Sequence, residues 1–259
     1  MQKDKELIQV LGLKVSVKGK DKVIINEIDF TCNQSEILTI LGKNGEGKTT
    51  LALSLTKLLN PQIYSIEGKV YFRNEDILNL DENSLQKIRK EQIGYILQNP
   101  FSAFNPIYKI KDQIEELNKL KNIPFENFIQ LMNKLELKNH NQILSKYPFE
   151  LSGGMLQRLS AVRVLASNPD LIIADEPTSA LDKPISNQLL KLFRDYVKER
   201  NGAFIFITQD ISIAESFSDK IAFLKNGNLI HFVERENLFK QTNHIEIEIL
   251  LNSYRQLRL

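Results

Sequence analysis

The chain has 259 residues, with 34 Lys and Arg against 32 Asp and Glu and a formal charge of +2. That near balance argues against the clustered basic face of a nucleic-acid binder. The single cysteine, Cys32, can form neither an internal disulfide nor a metal cluster, which suits a reducing cytosolic setting.

No stretch approaches the ~20 apolar residues of a membrane helix, and MQKDKELIQV lacks the apolar core of a secretory signal. A soluble α/β protein is expected, one domain with an appended lobe, still able to dock on a membrane partner. LIQVLGLKVSV and KVIINEIDF alternate as antiparallel strands do, joined by the turn-like KGKD. Cys32 closes the alternating run IDFTC and reads as a buried structural thiol. SEILTIL (35–41) is a short apolar strand running into a glycine-rich loop. GKTTLALSLTKLLN (47–60) then has helical spacing at Leu51, Leu55, Leu58 and Leu59 and stops before Pro61. GKVYFR (68–73) and IGYILQ (93–98) return to strands. Residues 99–150 change character: Pro100, Pro106, Pro124 and Pro148 punctuate helical segments rich in Lys, Glu and Asn, as in an inserted helical lobe. The α/β rhythm then resumes with a helix (152–166), the strand LIIAD, a helix (184–200) closed by Asn201-Gly202, and the strand AFIFIT. A short helix and the hairpin KIAFLKNGNLIHFV, turning at Asn226-Gly227, follow.

GKNGEGKTT (42–50) fits the phosphate-loop pattern G-x-x-x-x-G-K-[ST]. Gly42, Asn44, Gly45, Glu46 and Gly47 would wrap backbone N–H groups around phosphate oxygens, and Lys48, Thr49 and Thr50 open the next helix. Lys48 is expected to hold the β- and γ-phosphates of ATP, and Thr49 to offer its hydroxyl to Mg²⁺. An ordinary glycine-rich turn is the alternative; a strand before and a helix after favour the phosphate loop. LIIADE (171–176) ends a buried-looking strand in two acids. Asp175 is placed to hold Mg²⁺ through water, and Glu176 to polarise a water beside the γ-phosphate; solvated strand-end acids are the alternative. In LSGGM (151–155), Ser152 reads as a helix cap, and Gly153 and Gly154 leave the helix N-terminus bare enough for an anion.

Together these motifs resemble the nucleotide-binding subunit of an ABC transporter, and the likeness covers nearly the whole chain. GKNGEGKT resembles the Walker A loop, LIIADE the Walker B strand, LSGGM the family signature, SALD (179–182) with Asp182 the D-loop, and Gln98 the Q-loop glutamine. QNPFSAFNPIYKI, LSGGMLQR and ADEPTSALD are most similar to the oligopeptide, dipeptide and nickel importer branch. The resemblance implies a RecA-like P-loop core with an N-terminal antiparallel β-subdomain (1–98 and 167–259) and an inserted α-helical lobe (99–166) that carries the signature. It implies that Gln98 touches nucleotide and Mg²⁺, and that two such subunits sandwich two ATP molecules, each phosphate loop facing the other subunit's Ser152–Gly154 and D-loop. The implied partners are two membrane-spanning permease subunits, a second ABC ATPase subunit and an extracellular substrate-binding protein, with this chain peripheral on the cytoplasmic face of the membrane. Peptides, nickel or metal–chelator complexes are the implied cargo, selected by the other subunits. Residues 98–110 would receive the permeases' coupling helices, with Phe101, Phe104 and Tyr108 as candidate contacts; the interior of the lobe is their alternative place.

The chain departs from the family pattern at two points. FIFITQD carries Gln209 where the family has a histidine on the γ-phosphate. An amide still donates to a phosphate oxygen, but it cannot become a cation near neutral pH, and such a donor is worth roughly 10²–10³ in rate. Residues 1–29 contain no aromatic, where the family stacks adenine near the end of the first strand; Val17 offers apolar contact only. Met155 in place of the commoner glutamine is a minor change. These features suit a heterodimer with one stronger and one weaker site; a homodimer is the alternative. A nucleotide-dependent clamp, whose ATP binding matters and whose hydrolysis does not, is the rival reading. An ABC protein acting on DNA or ribosomes would show two cassettes or coiled-coil insertions, and an exporter different wording around Gln98. The tail HIEIEILLNSYRQLRL has no cysteine cluster, so no iron–sulfur site is expected.

Overall fold

The computed structural model describes residues 6–238 and Ile247. The elements begin with β1 (Glu6–Val17), β2 (Val23–Asn33), β3 (Ile37–Leu41), α1 (Lys48–Ser54), β4 (Tyr64–Phe72) and β5 (Glu75–Asp76). They continue with α2 (Glu82–Glu91), β6 (Ile93–Ile96), α3 (Ile110–Lys121), α4 (Phe125–Lys134), α5 (His140–Leu144), α6 (Gly153–Ala166), β7 (Leu171–Asp175) and α7 (Lys183–Arg200). The last are β8 (Ala203–Thr208), α8 (Ile211–Phe217), β9 (Lys220–Lys225) and β10 (Asn228–Glu234). Residues up to Asn79 and from Ile205 onward form one compact unit, and Leu80–Phe204 a second. No helix among the described residues is long and apolar enough to cross a membrane. The first five residues of MQKDKELIQV, and the tail 244–259 apart from Ile247, lie outside the described residues, and with them the readings made there.

In the first unit, β2-β1-β4-β5 form an antiparallel sheet. Its β1 residues Leu13 and Val15 are fully buried, and Cys32 on β2 is buried with its thiol pushed up by that burial, as expected of a structural cysteine. The β4–β5 hairpin turns on Arg73 and Asn74, at φ 48 and 68, a mirror-image turn without the glycine that usually marks one. The other strands of the unit run in the order β10-β9-β3-β8. β3 is buried along its whole length and runs parallel to β9, with Leu38 opposite Lys220 and Leu41 opposite Phe223. Phe206 of β8 meets Phe217 of α8 edge-on, with ring centroids 5.3 Å apart. The helix after the loop is shorter than its apolar spacing predicts: α1 ends at Ser54, because Lys57 turns left-handed at φ 53 and Leu58 N–H closes back on Leu53 O at 2.9 Å. Leu55 and Leu59 still reach the core, while Leu58 is exposed.

In the second unit β6 and β7 pair in parallel, Ile93 opposite Leu171 through Ile96 opposite Ala174. β6 stops two residues before Gln98, so the strand read over 93–98 is shorter than expected. Gly94 lets α6 and the segment before β7 pack on β6: a Cβ there would lie 2.5 Å from Val164 Cγ1 and 2.9 Å from Pro169 Cγ. Helices α3, α4 and α5 fill residues 110–144, as the lobe's composition indicated. α6 buries Leu156, Leu159 and Val162 together with the polar Gln157 and Ser160. α2 had no clear periodic signal; it starts at Asp81, whose carboxylate accepts from Ser84 N–H at 3.0 Å.

The Asn226-Gly227 turn is positioned against β2, where Asn26 N–H donates to Gly227 O at 2.9 Å. Gly227 has φ 74, and a Cβ on it would collide with Ile24 O and lie 2.8 Å from Ile24 C. Gly227→Ala is therefore expected to cost about 2–4 kcal/mol, through backbone overlap and left-handed strain. The check is chemical denaturation, read as a lower midpoint at unchanged slope.

Candidate functional site

The phosphate loop runs from β3 into α1 with Lys43, Asn44 and Gly45 exposed. Gly45 and Gly47 take φ 88 and 99, which only glycine adopts without strain and which turns neighbouring N–H groups toward one side. Lys48 is nine-tenths buried, and its ammonium donates to Gly42 O at 2.7 Å and Lys43 O at 2.9 Å, so its charge lies beneath the loop. Backbone hems the loop in. Gly42 N–H donates to Thr208 O at 3.3 Å, and a Cβ on Gly42 would stand 2.5 Å from Leu224 O. A Cβ on Gly47 would stand 3.0 Å from Ile25 Cδ1. At Glu46 the Asn226-Gly227 turn clasps the loop: Gly227 N–H donates to Glu46 O at 3.2 Å, and Asn226 N–H donates to the Glu46 carboxylate. Thr49, one residue into α1, is exposed. These residues fit a bound triphosphate, with a buried cation, a positive-φ cradle and no side chain on the glycines that enclose it.

Gln209 is the first residue beyond β8, and its side chain is exposed. The residues beside it are both tied down. Thr208 O receives the loop's Gly42 N–H, while Asp210 caps α8, accepting from Ser212 N–H at 2.8 Å. The backbone of Gln209 is thus placed next to the start of the phosphate loop.

Asp175 and Glu176 belong to the second unit. Asp175 ends β7 and is almost completely buried. Tyr95 on β6 has a buried hydroxyl without a hydrogen-bond partner, its pKa pushed up by burial and then by the charge of Asp175. Glu176 is buried and left-handed at φ 50, a backbone state costing about 1–3 kcal/mol for such a residue. Its carbonyl is held by three donors: Gln157 Nε2 at 3.1 Å, Ser179 Oγ at 3.0 Å and Ser179 N–H at 3.2 Å. Sequence reasoning missed Gln157. The signal was available, since it is a polar residue inside the buried run LSGGMLQRLSAV, and it is 1 % exposed. Thr49 in the first unit carries a hydroxyl and Asp175 in the second a carboxylate, each an oxygen donor of the kind Mg²⁺ takes.

Ser152 caps α6 as expected, accepting from Met155 N–H at 3.2 Å. The two glycines differ. Gly153 has open space where a side chain would stand, whereas a Cβ on Gly154 would be 3.0 Å from Ala180 O. Gly154 thus lets the SALD segment pack on the signature helix, a close approach and not only a bare helix end. Asp182 caps α7, accepting from Ile185 N–H at 3.0 Å. Gln98 is exposed beyond β6. Phe101 and Tyr108 are exposed with Ile107, but Phe104 is buried, the Arg163 guanidinium 4.8 Å from its ring centroid. Phe104 is therefore interior, not a surface contact. Gln113 rigidifies the segment around it, accepting from Asn105 N–H at 2.9 Å and donating to Asn105 O and Tyr108 O at 3.0 Å.

Comparison with known proteins agrees with this constellation. The ABC transporter family matches residues 25–179. The chain is 35% identical over 242 residues to the oligopeptide transport ATP-binding protein OppD of Lactococcus lactis subsp. cremoris, covering 92% of this chain and 72% of that one. It is 33% identical over 256 residues to the metal-staphylopine import system ATP-binding protein CntD of Staphylococcus aureus, covering 97% and 94%. Its fold superposes on a dimeric ATP-binding cassette in a post-hydrolysis state bound to ADP and Pi, with a TM-score of 0.78 and 26% identity over 88% of this chain and 98% of that one. With its phosphate loop, its acid pair and its signature helix, the chain belongs to the ABC transporter family, as an ATP-hydrolysing cassette.

Proposed function

We propose that the chain is the energy-coupling ATPase subunit of an importer for peptides or for metal–chelator complexes, nickel included, and that its own hydrolytic site is weakened but working. The names of its relatives support the cargo class, since OppD serves oligopeptide transport and CntD metal–staphylopine import. The observation that carries the hydrolytic part is Glu176, a buried carboxylate whose backbone is fixed by three donors. A residue kept strained and immobile at a strand end suits a group that must orient one water.

In this reading Lys48 leaves the loop carbonyls for the β- and γ-phosphates, and Thr49 and Asp175 are the residues that would hold Mg²⁺, which would offset charge on the phosphates. Glu176 accepts a proton from the attacking water, Gln98 lies at the edge of that chemistry, and Gln209 donates an amide N–H to a γ-phosphate oxygen. Ser152, Gly153 and Gly154 serve the ATP of a second ABC subunit, a different chain on the heterodimer reading, with Asp182 setting the turn beside them. The exposed Phe101, Ile107 and Tyr108, propped by Gln113, supply an apolar surface for a permease coupling helix. Two permease subunits and an external binding protein complete the system, and the chain sits on the cytoplasmic face of the membrane.

Glu176→Gln, placed in this subunit only of the reconstituted transporter, is expected to lower ATP turnover about 10²-fold or more, because the water loses its base. Turnover that survives would favour a nucleotide-dependent clamp. Gln209→His is expected to raise turnover by roughly tenfold or more, by restoring a charge-assisted donor. It should also introduce a limb near pH 6.5 in the rate profile, the ordinary range of histidine, which a glutamine cannot give. Steady-state turnover across pH 5.5–8.5 checks both; an unchanged rate would leave Gln209 outside the chemistry.

A further inference from the structure

We infer that Tyr64, on β4, supplies the aromatic surface on which the adenine of bound ATP rests; this builds on the phosphate loop as the triphosphate site. No aromatic stands anywhere in residues 1–29, and Val17 at the end of β1 has only an aliphatic side chain. The pairing of the antiparallel sheet puts an aromatic beside it. β1 and β4 run in unbroken register from Lys14 opposite Glu67, through Val15 opposite Ile66, to Val17 opposite Tyr64. Residues directly opposed in an antiparallel pair share a face, as do residues two apart on one strand. Tyr64, Val17, Val15 and Ile66 therefore lie on one face, and Ile25, opposite Val15 on β2, joins them.

The phosphate loop meets that face at Ile25, on the edge strand β2. A Cβ on Gly47 would lie 3.0 Å from Ile25 Cδ1, and 3.1 Å from the carbonyl oxygen of Ile24. From Ile25 to Tyr64 the sheet crosses two strand spacings and runs two residues along, a separation of about 12 Å. That matches the span of a nucleoside triphosphate between its terminal phosphates and its base. The backbone under the ring is fixed: Tyr64 N–H donates to Asn60 O at 3.0 Å, and Lys18 N–H to Ile63 O at 2.8 Å. Tyr64 itself is half-buried, which leaves part of the residue accessible to a ligand. An aromatic face accepts any base by stacking, without a hydrogen-bond code. Tyr64 thus accounts for affinity toward a purine ring and not for choice between adenine and guanine.

The test uses the full chain and two probes, Mg·ATP and inorganic tripolyphosphate, which keeps the phosphates and lacks the base. Tyr64→Ala and Tyr64→Leu are expected to weaken ATP about tenfold, from the stacking lost, and to leave tripolyphosphate unchanged. GTP should weaken in parallel with ATP. Adding Val17→Tyr to Tyr64→Ala should restore ATP binding, because the new ring stands on the same face one strand away. Unchanged ATP affinity in both variants would overturn the inference. So would an equal loss of ATP and tripolyphosphate in both, which would assign Tyr64 to the fold. A wild-type chain that bound neither probe would instead sink the phosphate-loop reading beneath it.

Discussion

The phosphate loop of this chain depends on close approaches by backbone of distant segments. Gly42 stands under the Leu224 carbonyl, Gly47 against β2, and Glu46 in the grip of the Asn226-Gly227 turn, which itself leans on Asn26. Two stretches far from the loop in sequence, β2 and residues 224–227, thus converge on Gly42, Glu46 and Gly47, and a Cβ on Gly42 would overlap the Leu224 carbonyl. The loop's shape is set before any phosphate arrives, so binding need not be offset by much ordering entropy. Lys48 is drawn under the loop by two carbonyls, and on the proposed reading it trades those partners for phosphate oxygens. The same clasp couples the β9–β10 hairpin to the nucleotide, although that hairpin carries no chemistry.

The acid pair follows a second version of the same logic. Glu176 needs a left-handed backbone, and its carbonyl is held there by Gln157 and Ser179. Gln157 belongs to the helix that Ser152 caps and that Gly154 brings against Ala180. Within the second unit, the signature helix and the hydrolytic carboxylate are therefore one mechanical piece. A displacement of the N-terminal turn of α6 would be felt at Glu176 through a single amide. On the proposed reading, this gives a second subunit's nucleotide, contacting Ser152–Gly154, a physical route to this chain's own base.

Much of this could be read from the sequence where a residue type has one physical use. The glycines of the loop, the acids after LIIA, the serine before Gly153 and the Asn-Gly turn each sit where they were expected. The misses share a cause: they are tertiary facts. The helix after the loop stops at Ser54 because Lys57 turns left-handed, which no apolar spacing reports. The Arg73-Asn74 hairpin lacks the glycine that would have marked it, and α2 is too short for a periodic signal. Phe104 and Phe101 look alike in FSAF, yet one meets Arg163 inside the unit and the other faces solvent. Gly154 was read only as part of a bare helix end, and its close approach to Ala180 is a second use that the sequence does not show.

The two departures from the family pattern differ in kind. An aromatic contact to a base is a matter of area and face, so it survives transfer to any strand position that presents a ring on the same face. Register makes β4 such a strand. The γ-phosphate donor is a matter of a single atom at a single strand end, fixed between Thr208 and Asp210, and no neighbouring residue can substitute for it by register. Compensation is therefore available for binding and not for chemistry. If Tyr64 holds the base and, on the proposed reading, Gln209 slows hydrolysis, the chain keeps its nucleotide well while turning it over slowly. A subunit with that balance stays closed on ATP longer than a partner carrying histidine. Asymmetry between two sites would then arise from lifetime, with both sites still filled.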